Sequence, residues 1–126
     1  WHTLKADAPL QAPDTFETDA LKQIGLWIPY TPPRYRSSYF AHIWGSGYAA
    51  GYYAYIWTKM LADDAFAAFE DQGGLTRKNG DRFRKMVLSR GNTEDLEKMY
   101  ETWRGAKPSI EPMLKYGGFG PTPTSD

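Results

Sequence analysis

Residues 37–58 read SSYFAHIWGSGYAAGYYAYIWT, a stretch held between Arg36 and Lys59 with no formal charge inside it. Four structures compete for such a segment, and choosing among them decides the fold. Its length approaches the roughly 20 residues that cross a bilayer, and Gly47 with Gly51 makes a GxxxG pair, but tyrosine and glycine replace the aliphatic residues that a span requires. Gly45, Gly47 and Ala50 match a dinucleotide loop by letter, yet that loop follows a strand in a βαβ unit, and here a proline-rich loop precedes it. Packing is the third reading. On a helix Tyr48, Tyr52 and Tyr55 fall at i, i+4 and i+7 and share a face, while Tyr53, Ile56, Trp57, Met60 and Leu61 occupy another. The fourth is a substrate loop, in which a glycine-rich turn lets the backbone approach a peptide closely and His42 with the tyrosine face supplies hydrogen-bond donors. Three hydroxyls on one face need partners if buried, so packing and a ligand-facing surface both stay open.

Outward from this stretch the pattern is helical. From Tyr48 to Asp71 there is no proline, and Gly73 and Gly74 follow, which predicts one long helix with Gly45, Ser46 and Gly47 as the bend into it. Upstream, Asp14 and Glu17 have the spacing of a capping box, predicting a helix over 15–24 with Phe16, Ala20, Leu21 and Ile24 on one face and Gly25 at its end. Pro29, Pro32 and Pro33 then predict an ordered crossing loop to Ser38. Downstream, a helix is expected over 76–90 with its first turns weakened by Gly80. Another starts at Asn92 as N-cap, turns Leu96, Met99, Tyr100 and Trp103 inward and ends at Gly105. A last turn is expected over 110–116, with a flexible tail over 119–126. No strand-like alternation recurs, so the fold class is all-α, with a short extended piece at 39–43.

Composition narrows the function. The 126 residues suit one domain or part of one, and 15 basic against 15 acidic residues leave no net field for nucleic acid or an anionic membrane. There is no cysteine, which removes disulfides, thiolate ligands and a cysteine nucleophile, and permits the reducing cytoplasm as the expected location, with the periplasm as the alternative. No G-x-S-x-G elbow is present. Asp63 and Asp64 are adjacent on a helix and so point apart, while Glu70, Asp71, Glu94 and Asp95 read as helix-end or solvated charges. Arg34 and Arg36 are candidates for gripping a carboxylate, though arginines of loops more often serve structure. The chain begins at Trp1 with no signal-like segment, and upstream protein is expected.

The run from Phe40 to Tyr55 resembles the signature loop of the thimet-oligopeptidase-like HExxH zinc peptidases, and among them the bacterial dipeptidyl carboxypeptidases. The resemblance extends through PPRYRSSYFAH before the loop, Leu61–Asp64, Gly73–Thr76, Asn79–Gly80, Arg82–Arg84, Leu88–Asn92 and Glu94–Leu96, covering about residues 1–118. It implies a C-terminal part of a larger, mainly helical catalytic domain that acts on oligopeptides by removing C-terminal dipeptides. It also implies a zinc ion held by HExxH and a further glutamate. No HExxH occurs here, and the histidines are His2 and His42 alone. The upstream part carrying HExxH is therefore the implied partner, and by itself this chain is expected to bind no zinc, to lack activity and to self-associate.

Residue by residue, the resemblance makes His42 a donor to a carbonyl of the bound peptide, Tyr48 a second substrate contact and Tyr52 a weaker one. Tyr55 becomes the donor to the oxyanion formed at the scissile carbonyl; a phenol ordinarily stays protonated at neutral pH and keeps donating as charge develops. Gly45 and Gly47 let the loop hinge over the cleft. Ser46 stands where glycine is usual in the family. The expectation from a different class is a non-catalytic helical module that uses the aromatic face to bind a peptide or protein.

Overall fold

A computed structural model describes residues 1–120, with Ser46 described by its backbone; residues 121–126, most of the expected tail, lie outside the described residues. All regular structure among the described residues is helical, and it falls into two compact units, Trp1–Tyr53 and Ala54–Asp126. The all-α class is therefore correct.

The first unit contains helix α1, Pro13–Gln23, and two 3₁₀ turns, Ala41–Ile43 and Ser46–Tyr48. Helix α1 starts with Pro13 at its first position, where a missing N–H is harmless, and its N-cap Ala12 offers no side-chain bond. The capping box does not form. Asp14 lies inside the helix, and Glu17 turns away from the N-terminus to bond Ser37. At the other end Gly25 takes φ 72°, and two bonds close the turn: Gly25 N to Lys22 O at 3.1 Å and Leu26 N to Leu21 O at 2.9 Å. This pair is a Schellman motif, available to glycine without the Cβ clash of the left-handed region. The expected extended piece at 39–43 is instead a tight turn, since the amides of Tyr39 and Phe40 both donate to Arg36 O at 3.0 Å and Ile43 N donates to Phe40 O.

The second unit is built from α2, Ala54–Asp71; α3, Arg77–Phe83, which runs on into a π-helical turn over Arg84–Leu88; α4, Leu96–Arg104; and α5, Glu111–Tyr116. Helix α2 begins six residues later than expected. Ala50 sits at φ 53°, and Gly51 N bonds Tyr48 O at 2.8 Å, so the chain turns where a helix would continue. A left-handed alanine costs about 1–2 kcal/mol, and it cannot belong to a right-handed helix. The helix ends as expected: Gly73 and Gly74 have φ 91° and 89°, and Gly74 N bonds Phe69 O at 2.7 Å. Asn79 seals this corner by donating from Nδ2 to Gln72 O at 3.0 Å and to Gly74 O at 2.9 Å. The N-cap of α4 is Asp95, whose side chain accepts from Lys98 N at 2.8 Å; Asn92 is left in the preceding turn because the cap must sit one residue before the helix.

The core of the second unit gathers around Trp103, which is 2% exposed, with Ala68 fully buried. The Trp103 ring lies 4.9 Å from Phe83, 5.7 Å from Tyr100 and 5.9 Å from Phe69, all tilted or edge-on, as ring quadrupoles favour. Arg82 covers it, donating to Trp103 O and resting its guanidinium over the ring. Leu96, expected inward, is exposed, because α4 begins at that residue and only its later turns reach the core.

Asp64 lies fully buried beside this core. Its Oδ2 accepts the Tyr100 hydroxyl at 2.7 Å and Arg104 Nε at 3.2 Å, with Arg104 Nη2 donating to Oδ1 at 3.4 Å. Three donors and one opposite charge offset the cost of burying a carboxylate. Burial, and then the bond to Asp64, push the Tyr100 phenol well above its ordinary value. Helix α5 packs on α2, and Tyr116 donates to Glu70 at 2.5 Å, a bond that pushes this phenol up to about 12.

Candidate functional site

The residues expected to carry the chemistry divide between the two units. His42, Gly45, Gly47, Tyr48 and Tyr52 belong to the first, and Tyr55 to the second. Because α2 starts at Ala54, the three tyrosines do not form one helical stripe. Tyr48 ends a 3₁₀ turn, Tyr52 lies in the turn that follows, and Tyr55 occupies the first turn of α2.

Within the first unit, His42 is the centre of an aromatic group. Its ring centroid is 5.6 Å from Tyr52, 5.8 Å from Phe40 and 6.2 Å from Tyr48. Phe40 holds the group together, edge-on to Tyr52 at 4.7 Å and stacked on Tyr35 at 5.1 Å. His42 and Tyr48 are exposed and Tyr52 is half-buried, so the group presents polar edges outward from an apolar backing. Arg34 rests its guanidinium 5.0 Å from the Tyr35 ring, while Arg36 is engaged by Asp14 and Glu17. Tyr55 is 51% exposed, with its carbonyl accepting the Thr58 hydroxyl at 3.1 Å.

Neither glycine of the loop is required by the backbone seen here. A Cβ at Gly47 would meet nothing within 4 Å, and one at Gly45 would reach only Ala41 O, at 3.9 Å. Both have φ outside the left-handed region. Glycine at these positions is thus not explained by local packing.

Beneath the loop lies a network that the sequence pattern did not reveal. Glu17 is a buried carboxylate: its Oε2 accepts Ser37 N at 2.7 Å and Ser37 Oγ at 2.9 Å. Its Oε1 lies 2.5 Å from Arg36 Nε as an ion pair without an aligned hydrogen bond. Ser37 in turn accepts the Trp1 indole N–H on Oγ and the Trp44 indole N–H on its carbonyl, each at 2.8 Å. Trp1 packs on Phe16 at 4.0 Å and on Trp44 at 5.8 Å. One signal was available, since Glu17 shares the helical face of Ala20, Leu21 and Ile24, where a carboxylate must find partners.

Among the described residues no group of three or more histidine, aspartate or glutamate side chains converges to hold a metal ion. The described residues by themselves do not make a zinc site. No described helix is long and apolar enough to cross a membrane.

Comparison with known proteins finds matches over nearly the whole chain. The family model described as peptidase family M3 matches residues 1–119. The chain is 59% identical over 119 residues to the dipeptidyl carboxypeptidase of Escherichia coli (strain K12), a match covering 94% of this chain and 18% of that protein. It is 58% identical over 119 residues to the dipeptidyl carboxypeptidase of Salmonella typhimurium, with the same coverage. Oligopeptidase A of Escherichia coli is 43% identical over 80 residues, which cover 64% of this chain and 12% of that protein. The chain thus spans 18% of the length of the first two relatives.

Proposed function

This chain belongs to peptidase family M3, and on that premise we propose that it is the substrate-binding and oxyanion-stabilising part of a zinc-dependent peptidyl-dipeptidase. In this reading the complete enzyme removes dipeptides from the C-termini of oligopeptides. The observation that carries the proposal is the extended identity to two dipeptidyl carboxypeptidases across a segment that contains the His42 loop. Metal donors come from the part of the enzyme that carries HExxH, and without that part the chain is inactive.

The roles follow from chemistry and position. His42, exposed and backed by Phe40 and Tyr52, donates to a peptide carbonyl and orients the chain of the substrate. Tyr48, whose ring lies 6.2 Å from that of His42, adds a hydroxyl contact to the same peptide. Tyr52 supports the ring of His42 edge-on and contributes less to the substrate directly. Tyr55 donates its hydroxyl to the oxygen of the scissile carbonyl, where negative charge grows in the transition state and a fixed donor is worth most. Gly45 and Gly47 give the loop room to move toward a bound peptide, which accounts for glycines that local packing does not demand.

The test is dipeptide release from a blocked tetrapeptide by the full-length enzyme carrying this segment. Replacing His42 with alanine is expected to raise KM roughly tenfold or more, because one hydrogen bond and its orienting effect are lost from the bound peptide. Unchanged KM and kcat in that variant, with no dipeptide among the products of the parent enzyme, would rule the assignment out.

A further inference from the structure

Ser37 has its amide, hydroxyl and carbonyl all engaged: the amide and hydroxyl bonds tie the His42 loop to residues outside it, and the carbonyl bond closes the loop on itself. The amide and hydroxyl donate to Glu17 on α1, the hydroxyl oxygen accepts Trp1, and the carbonyl accepts the Trp44 indole. That last bond closes the segment 37–44 into a ring, with His42 on it. Both Glu17 and Ser37 are only 9% exposed. A buried carboxylate is an expensive way to fasten a loop when apolar packing is available, and it is used where geometry must be held closely.

We infer that Glu17 is a positioning residue for His42: it fixes Ser37, Ser37 fixes Trp44, and the closed turn between them sets where the imidazole stands. This rests on the proposed role of His42 in binding substrate. An aliphatic residue at 17 would fill the space without orienting Ser37, because no acceptor would then define the direction of its amide and hydroxyl. Arg36 pairs with the carboxylate at 2.5 Å and, through Nη2, with Asp14 at 3.3 Å, and these pairs add no contact to the loop turn itself.

The experiment is a double-mutant cycle in the full-length enzyme carrying this segment, read as KM and kcat on a blocked tetrapeptide with a melting curve for each variant. Glu17→Ala is expected to raise KM about tenfold while kcat changes less than about twofold, the signature of a displaced binding group. Glu17→Gln keeps an oxygen of the same reach and is expected to bring KM back within about threefold of the parent, a rescue that a charge-only role would not give. Combined with His42→Ala, the Glu17→Ala change is expected to add nothing further to KM, since both act through one contact. Independent, multiplying effects of the two changes would overturn the inference, as would a Glu17→Ala enzyme that melts earlier but binds normally. If Glu17→Ala does not fold, Ser37→Ala takes its place, losing one hydroxyl and keeping every backbone bond, with the same cycle and the same criterion. A His42→Ala enzyme with unchanged KM removes the binding role itself, and with it this inference, whereas a defective His42→Ala beside a normal Glu17→Ala overturns the positioning role alone.

Discussion

Each of the two units buries a carboxylate, and the two are used differently. Asp64 sits at 0% exposure among helices α2 and α4, bonded to Tyr100 and Arg104, thirty-six and forty residues away in sequence, and beside the Trp103 core. Glu17 sits under a loop and spends its bonds on the backbone and hydroxyl of Ser37. The first joins helix to helix, where ring packing already defines the arrangement. The second defines a loop that has little regular structure of its own, only two 3₁₀ turns between residues 41 and 48. The comparison teaches that a polar network contributes stability where packing is dense and geometry where it is sparse.

That contrast is broken or sharpened most strongly at Trp103. Replacing it with alanine removes the centre of the ring cluster and is expected to cost about 3–5 kcal/mol in a denaturant titration of the folded protein. Next, Asp64→Ala leaves Arg104 and Tyr100 facing a void and is expected to cost about 3 kcal/mol, the penalty for removing one member of a buried pair. If Asp64→Ala altered peptide binding and left stability alone, the two carboxylates would not differ as described.

A smaller effect is read in alkali. The Tyr100 phenol titrates above its ordinary value in the folded state, and Tyr116 does so at about 12. Between the unfolded value of about 10 and these folded values the unfolded chain has lost protons that the folded one retains. Stability from both groups is therefore complete below about pH 10 and falls as pH rises through the folded values. Tyr100→Phe combined with Tyr116→Phe is expected to flatten that decline, measured as the unfolding midpoint from pH 9 to pH 11.5. Smallest of all is Lys59→Ala. It breaks an exposed pair with Asp63 at 2.5 Å on α2 and is expected to cost about 0.3–0.5 kcal/mol, and less in high salt.

Helix ends were more legible than helix starts. Gly25, Gly73 and Gly74 mark their stops in the sequence because few other residues adopt their dihedrals without strain. The starts depend on which of several capable residues wins. Asp95 caps α4 where Asn92 was expected, Ala12 stands at the cap of α1 where Asp14 was expected, and the left-handed turn at Ala50 delays α2. The loop residues proposed for the candidate site were singled out by their pattern and its resemblance to a family. The Glu17 and Asp64 networks were not, because the partners of a buried carboxylate lie 20 to 40 residues away, and a local pattern shows only that a charge stands on an apolar face.

The central claim is that this segment completes a peptidase site, and Tyr55→Phe tests it most directly. The substitution keeps the ring at the first turn of α2 and removes one hydroxyl. In the full-length enzyme carrying this segment, kcat for dipeptide release from a blocked tetrapeptide is expected to fall by about 10² to 10³, with KM nearly unchanged and the protein still folded. A Tyr55→Phe enzyme that turns over at the parent rate would contradict the account.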